Sequence, residues 1–230
     1  MRFAEVTLTA PRDLGDFYGA ELGLPLDDDV IVAGETRLRF EVEDGGDFYH
    51  FALLVPGDRF DAALAWAKDR VELIGDVFAF EAWDARAVYF HDPAGSIVEL
   101  IAHHGLEENG RTGGFAAEEL VGFSELGLVG DQPLLLQQLE AAGLELWDGT
   151  IEEPDRLAFV GERGRTFILA PPGRGWLPTG RPAEPHPVEV TIAGLPNQER
   201  LVTVCYLSDA AAADGEKAAT AAPSNRLLLG

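Results

Sequence analysis

The chain has 230 residues, 47% of them hydrophobic, enough apolar side chains for one large core or two small ones. With 17 basic and 40 acidic residues its net charge is −23, a field that repels nucleic acid and anionic membrane surfaces. A single cysteine, Cys205, excludes an intrachain disulfide and a cysteine-based metal cluster and suits a reducing compartment. No apolar run approaches membrane-spanning length and MRFAEVTLTA lacks the pattern of a signal peptide, so the expectation is a cytoplasmic protein.

Three stretches share one layout: FAEVTLTAPRDLGDFYGAELGL from Phe3, YHFALLVPGDRFDAALAWAKDRV from Tyr49, and FSELGLVGDQPLLLQQLEAAGL from Phe123. Each opens with a short strand in which one polar side chain stands three residues ahead of a leucine: Glu5 and Leu8, His50 and Leu53, Glu125 and Leu128. A turn follows, then a helix, predicted from the spacing of Leu14, Phe17, Tyr18 and Leu22 in the first repeat and of Phe60, Leu64 and Ala67 in the second. Gly23 and Gly143 are placed as helix stops. Further strands are predicted at Val30 to Ala33, Thr36 to Val42, Val71 to Phe78, Arg86 to Phe90 and Ile97 to Ala102. Each unit therefore reads as one strand, one helix and then several strands, a repeat that any account of the fold must explain.

The segment YFHDPAGSIVEL at 89–100 places Glu99 among Ile97, Val98, Leu100 and Ile101. An unpaired buried carboxylate is expensive, so Glu99 must be solvated, neutralised or paired with a cation. Residues 105–117 are polar and glycine-rich and read as a linker. Beyond it LAFVGERGRTFILAP continues the third unit, followed by a proline-rich connection and a strand near 188–192. The glycines of GRGWLPTG at 173–180 lack the preceding strand, following helix and lysine of a phosphate loop. After Gly194, LVTVCYL is expected to form one strand, and residues 208–226 are expected to be poorly ordered.

In its motifs the chain resembles the vicinal oxygen chelate superfamily, which includes glyoxalases, bleomycin-resistance proteins and extradiol dioxygenases. FYGAELGL at 17–24, HFALLVP at 50–56 and YFHDPAGSIVEL at 89–100 carry the likeness, across most of residues 3–104. The resemblance implies an α+β fold in which βαβββ modules pair into a curved mixed sheet around a cup. On this reading residues 1–46 and 47–104 are paired modules forming the cup, 118–193 a third, degenerate module, and 194–230 a tail.

Residue by residue, the resemblance implies metal ligands at Glu5, His50 and Glu99, holding one divalent ion such as Mn, Fe, Zn or Ni. Leu38 or Arg39 occupies the place of a fourth ligand, and three ligands leave positions for substrate. One histidine with two glutamates is a harder set than the two histidines and one glutamate of extradiol dioxygenases, which favours lyase or isomerase chemistry on a small molecule with vicinal oxygens over ring cleavage. In the third unit Glu125 holds the opening-strand position but Ile168 aligns with Glu99, which argues against a second centre. The alternatives are a metal-free protein that sequesters a small molecule, as bleomycin-resistance proteins do, and a non-catalytic scaffold. Expected partners are a small-molecule ligand and a second copy of the chain as a homodimer.

Overall fold

The computed structural model describes residues 1–153 and 155–195, together with the backbone of 202–207 and 226–229. Most of the tail whose order the sequence addresses, 208–225, lies outside the described residues.

The first repeat forms β1 (Arg2–Ala10), a π-helical turn at Asp16–Glu21, β2 (Leu26–Asp27), β3 (Val30–Ala33) and β4 (Thr36–Val42). The turn is shorter than the helix that the spacing predicts, because Gly15 and Gly19 fall within that span and glycine disfavours helix by about 1 kcal/mol per residue. Its apolar side chains Leu14, Phe17, Tyr18 and Leu22 are nonetheless buried. The second repeat forms β5 (His50–Leu54), α1 (Phe60–Lys68), β6 (Phe78–Phe80), β7 (Ala85–His91) and β8 (Ile97–His103). The strand expected at Val71 to Phe78 is absent there: a turn at Gly75, with φ +75°, breaks the run, leaving Leu73 as a single bridge to Phe90 before β6 begins. The third repeat forms β9 (Gly122–Val129), α2 (Gln132–Ala141), β10 (Leu146–Gly149), β11 (Ala158–Glu162) and β12 (Arg165–Ala170). Asp131 caps α2 by accepting from the Leu134 amide at 2.9 Å. Last come β13 (Val188–Ala193), β14 (Val202–Leu207) and β15 (Arg226–Leu229).

Two sheets result. One runs β15-β14-β13-β1-β4-β3-β2, the other β10-β11-β12-β9-β5-β8-β7-β6. The cup sheet therefore joins the second repeat to the third through the antiparallel β5–β9 pair, whereas the sequence reading pairs the first repeat with the second. The physical reason lies in β1, whose two edges are already taken by β4 on one side and β13 on the other.

Strand parity sorts the side chains. Val6, Leu8, Phe51, Leu53, Val98, Leu100, Leu126 and Leu128 belong to one apolar cluster that packs the first sheet against the convex back of the second. Phe3 forms edge contacts with Phe123 and Phe167 at ring-centroid distances of 6.3 and 5.2 Å across this layer. The opposite, concave face of the second sheet carries its own cluster, including Ala52, Tyr89, Ile97, Ile101, Ile168 and Trp176. Segment 105–117 is tied down by buried Arg59, which donates to the carbonyls of Arg111, Gly113 and Gly114 and pairs with Glu119 at 2.9 Å.

Candidate metal centre

Sheet register gathers an imidazole and two carboxylates at one place on the concave face. Ala52 on β5 lies opposite Glu99 of the parallel strand β8 and opposite Glu125 of the antiparallel strand β9. The two glutamates thus flank a methyl group, each one strand spacing of about 4.8 Å away, and their carboxylates converge above it. His50, two residues before Ala52, shares that face. Just before Glu125 the β5–β9 register slips, so that Leu53 faces Phe123 and Ser124 is the extra residue of a β-bulge. The Ser124 hydroxyl donates to the Gly164 carbonyl at 3.0 Å, fixing the bulge that aims Glu125.

His50, Glu99 and Glu125 are all buried, and one ligand atom from each lies within 4.8 Å of the others. The His50 ring nitrogen Nδ1 is 3.1 Å from the Ile97 carbonyl, an acceptor, so Nδ1 carries the proton. Its Nε2 lone pair then faces Glu99 Oε2 at 3.6 Å. Two acceptors so placed repel each other unless a proton or a cation stands between them. Glu99 Oε1 has no hydrogen-bond partner although it is buried. Burial, and secondly the charge of Glu125, push the Glu99 carboxyl well above the ordinary range. Burial pushes Glu125 up to about 8 and His50 down to about 4. Tyr89, opposite Glu99 on β7, donates its hydroxyl to that carboxylate, and burial raises the phenol far above its usual value. An imidazole lone pair, two oxygen donors and an orphaned carboxylate oxygen suit a divalent cation.

The sequence reading places Glu99 and His50 in one site, and the structure brings those two together. Glu5 stands elsewhere: it lies on β1 of the other sheet, between Arg37 and Thr191. Glu125 takes the place assigned to it. The position equivalent to Glu99 in the third repeat is Ile168, opposite Gly127 as Glu99 is opposite Ala52, so the fourth corner is apolar. Glu125 was legible as the opening-strand polar residue of its repeat; its meeting with His50 was hidden because repeat similarity does not say which repeats share a sheet. His103, on the concave face two residues beyond Ile101, is buried beside Trp83 at 6.4 Å between ring centroids and stands outside the cluster.

The three side chains open into a small cavity of about 50 Å³ with an aromatic wall of Phe80, Trp83, Phe159 and Trp176. Residues 171–187 cross its mouth as a strap between β12 and β13. Within it Trp176 and Arg181 pair through backbone, as do Arg174 and Ala183, each at 2.8 Å. The Trp176 indole lies 4.9 Å from the His50 ring, and a Cβ at Gly127 would stand 2.9 Å from that indole, so Gly127 clears its seat. Arg181 fastens the strap, with its guanidinium 3.3 Å above the Phe48 ring and a 3.0 Å hydrogen bond to the Gly95 carbonyl. Of the sequence argument against a phosphate loop in GRGWLPTG, the missing helix agrees with this strap, which leads into β13, whereas a strand, β12, does precede it.

As a sequence the chain matches no protein-family model and no curated protein. Its architecture is similar to that of solved structures. One is described as a "putative dioxygenase" from Bacillus subtilis, with TM-score 0.50 and 19% identity over 74% of this chain and 63% of that one. Another is glyoxalase I from Zea mays, with TM-score 0.50 and 16% identity over 74% of this chain and 66% of that one. The chain thus spans a little under two thirds of the length of these structures. The likeness is one of fold: the chain has a glyoxalase-like fold.

Proposed function

We propose that the chain is a metal-dependent enzyme that acts on a small molecule with vicinal oxygens, its divalent ion held by His50, Glu99 and Glu125. The observation that carries this reading is the convergence of one imidazole and two buried carboxylates, one oxygen of which has no partner, at the base of a cavity. The group would supply Lewis acidity to adjacent substrate oxygens. The chain's own residues set the terms of that chemistry. The Ile97 carbonyl fixes the His50 tautomer, Tyr89 orients Glu99, and the Trp176 strap with its aromatic neighbours limits water at the site. Two carboxylates and one histidine suit stabilisation of a developing enolate or alkoxide, so lyase or isomerase chemistry is favoured over ring cleavage.

The test is elemental metal content after dialysis against Mn²⁺, Fe²⁺, Zn²⁺ or Ni²⁺. Near-stoichiometric metal is expected in the parent, with loss in folded His50→Ala, Glu99→Gln and Glu125→Gln and retention in Glu5→Gln. A parent that stays empty overturns the reading. The aromatic wall of the cavity would then favour metal-free binding of a small apolar compound.

A further inference from the structure

Among the described residues one cation lines the cavity above the cluster, and no step of the proposed chemistry uses it. Arg174, on the strap, lines the same cavity as His50, Glu99 and Glu125, and its charge acts on His50. Its one side-chain hydrogen bond among the described residues goes to the carbonyl of its neighbour Gly175, at 2.8 Å, and it forms no ion pair there. Arg37, Arg39, Arg86 and Arg165 pair with carboxylates, whereas Arg174 faces the cavity with its fork free of one. The remaining described residues lining the cavity are uncharged.

Charge balance turns this into a statement about the ligand. The two glutamates offset a divalent ion and His50 is neutral, so the guanidinium is the uncompensated charge of the loaded cavity. We infer that Arg174 is an anion anchor, and that the natural ligand carries a carboxylate or similar oxyanion in addition to its vicinal oxygens. The inference rests on the metal-centre reading above and deepens it. A planar guanidinium fork recognises a carboxylate through two parallel N–H donors, a stronger and more directional contact than a neutral pair. The strap's fixed backbone limits the entropy lost when Arg174 engages.

The test compares 3,4-dihydroxybenzoate with catechol, which share vicinal oxygens and differ in one carboxylate, by calorimetry on Mn²⁺-loaded protein. The parent is expected to prefer the acid by about tenfold, and Arg174→Gln to reduce that preference to about threefold or less with unchanged Mn content. Arg174→Lys, which keeps the charge and loses the fork, is expected to fall between. Equal affinities in the parent, or a preference that survives in Arg174→Gln, overturn the anchor while leaving the metal centre standing. If the parent binds no Mn²⁺, the metal reading fails separately, and the same ligand pair on the metal-free protein decides the anchor. A preference for the acid that is lost in Arg174→Gln supports it, and its absence overturns it.

Discussion

Glu5 and Glu125 occupy the same place in two copies of one repeat, in FAEVTL and FSELGL, and only one of them enters a candidate site. The likeness extends to local structure. In both strands the register slips just before the glutamate, between Phe3 and Glu5 on β1 and beside Ser124 on β9. The surroundings differ. Glu125 has β5 as its antiparallel neighbour, which presents Ala52 and His50 on the same face, with Glu99 one strand further on. Glu5 has β13 in the corresponding place, which presents Thr191, and on its other side Arg37 of β4. At the position on β4 that corresponds to Glu99 on β8, opposite Thr7, stands Arg39. A carboxylate in this repeat thus becomes a candidate ligand through what the neighbouring strands bring beside it.

The largest effect that would test this contrast is on metal affinity. Glu125→Gln is expected to lower Mn²⁺ affinity by about a hundredfold or more, since it removes a charged donor from a buried three-residue set, while Glu5→Gln leaves it within about twofold. Equal losses in the two variants, read by competition with a chromophoric chelator, would erase the distinction between the sheets.

The second effect is on the stability of the metal-free protein. Glu125, at about 8 in the folded state against 4.5 ordinarily, binds more protons folded than unfolded. Its contribution is therefore intact below about 4.5 and is lost as pH rises through 8. His50 works in the other direction: at about 4 when folded against 6.5 ordinarily, it costs stability as pH falls from 6.5 through 4. Above about pH 7.5 the histidine is neutral in both states, so melting between about pH 7.5 and 8.5 reads the carboxylates. The metal-free parent is expected to lose thermal stability across that window and to regain it on adding Mn²⁺. Glu125→Gln is expected to melt on the order of 5 °C above the metal-free parent at pH 8.5.

A smaller effect concerns the strap. Gly127→Ala places a methyl 2.9 Å from Trp176 and 3.1 Å from the His50 carbonyl, so the indole must move off the imidazole. The cost is about 1–3 kcal/mol of stability, with a shift in tryptophan emission. A variant with parental stability and emission would show that the strap does not rest on this strand.

Much of this fold was legible in the residues, and the part that was not has a physical origin. The repeats and the opening and closing strands follow from alternation and turn chemistry, and the cost of a buried carboxylate singles out Glu99, whereas its meeting with His50 is what the family resemblance implies. The partnering of repeats follows from none of these, because it depends on which strand edges remain free, and β13, far along the chain, takes the edge of β1. Arg174 and Trp176 are hard to read for a related reason: a proline- and glycine-rich connection has no periodicity, so nothing in GRGWLPTG says that it folds back over the cup.

The smallest effect reaches the site through a single hydroxyl. Tyr89 donates to Glu99, and that bond favours the ionised carboxylate against the burial that disfavours it. Tyr89→Phe removes the donor without opening space, so Glu99 holds its proton more tightly and an incoming cation must displace it. Mn²⁺ affinity in Tyr89→Phe is therefore expected to follow the parental pH profile displaced upward by about one pH unit, with the two curves converging at high pH. A uniform loss at every pH would mean that Tyr89 serves only to position Glu99. No change at all would mean that the carboxylate is ionised by other means, and the electrostatic account of the cluster would have to begin again from Glu125.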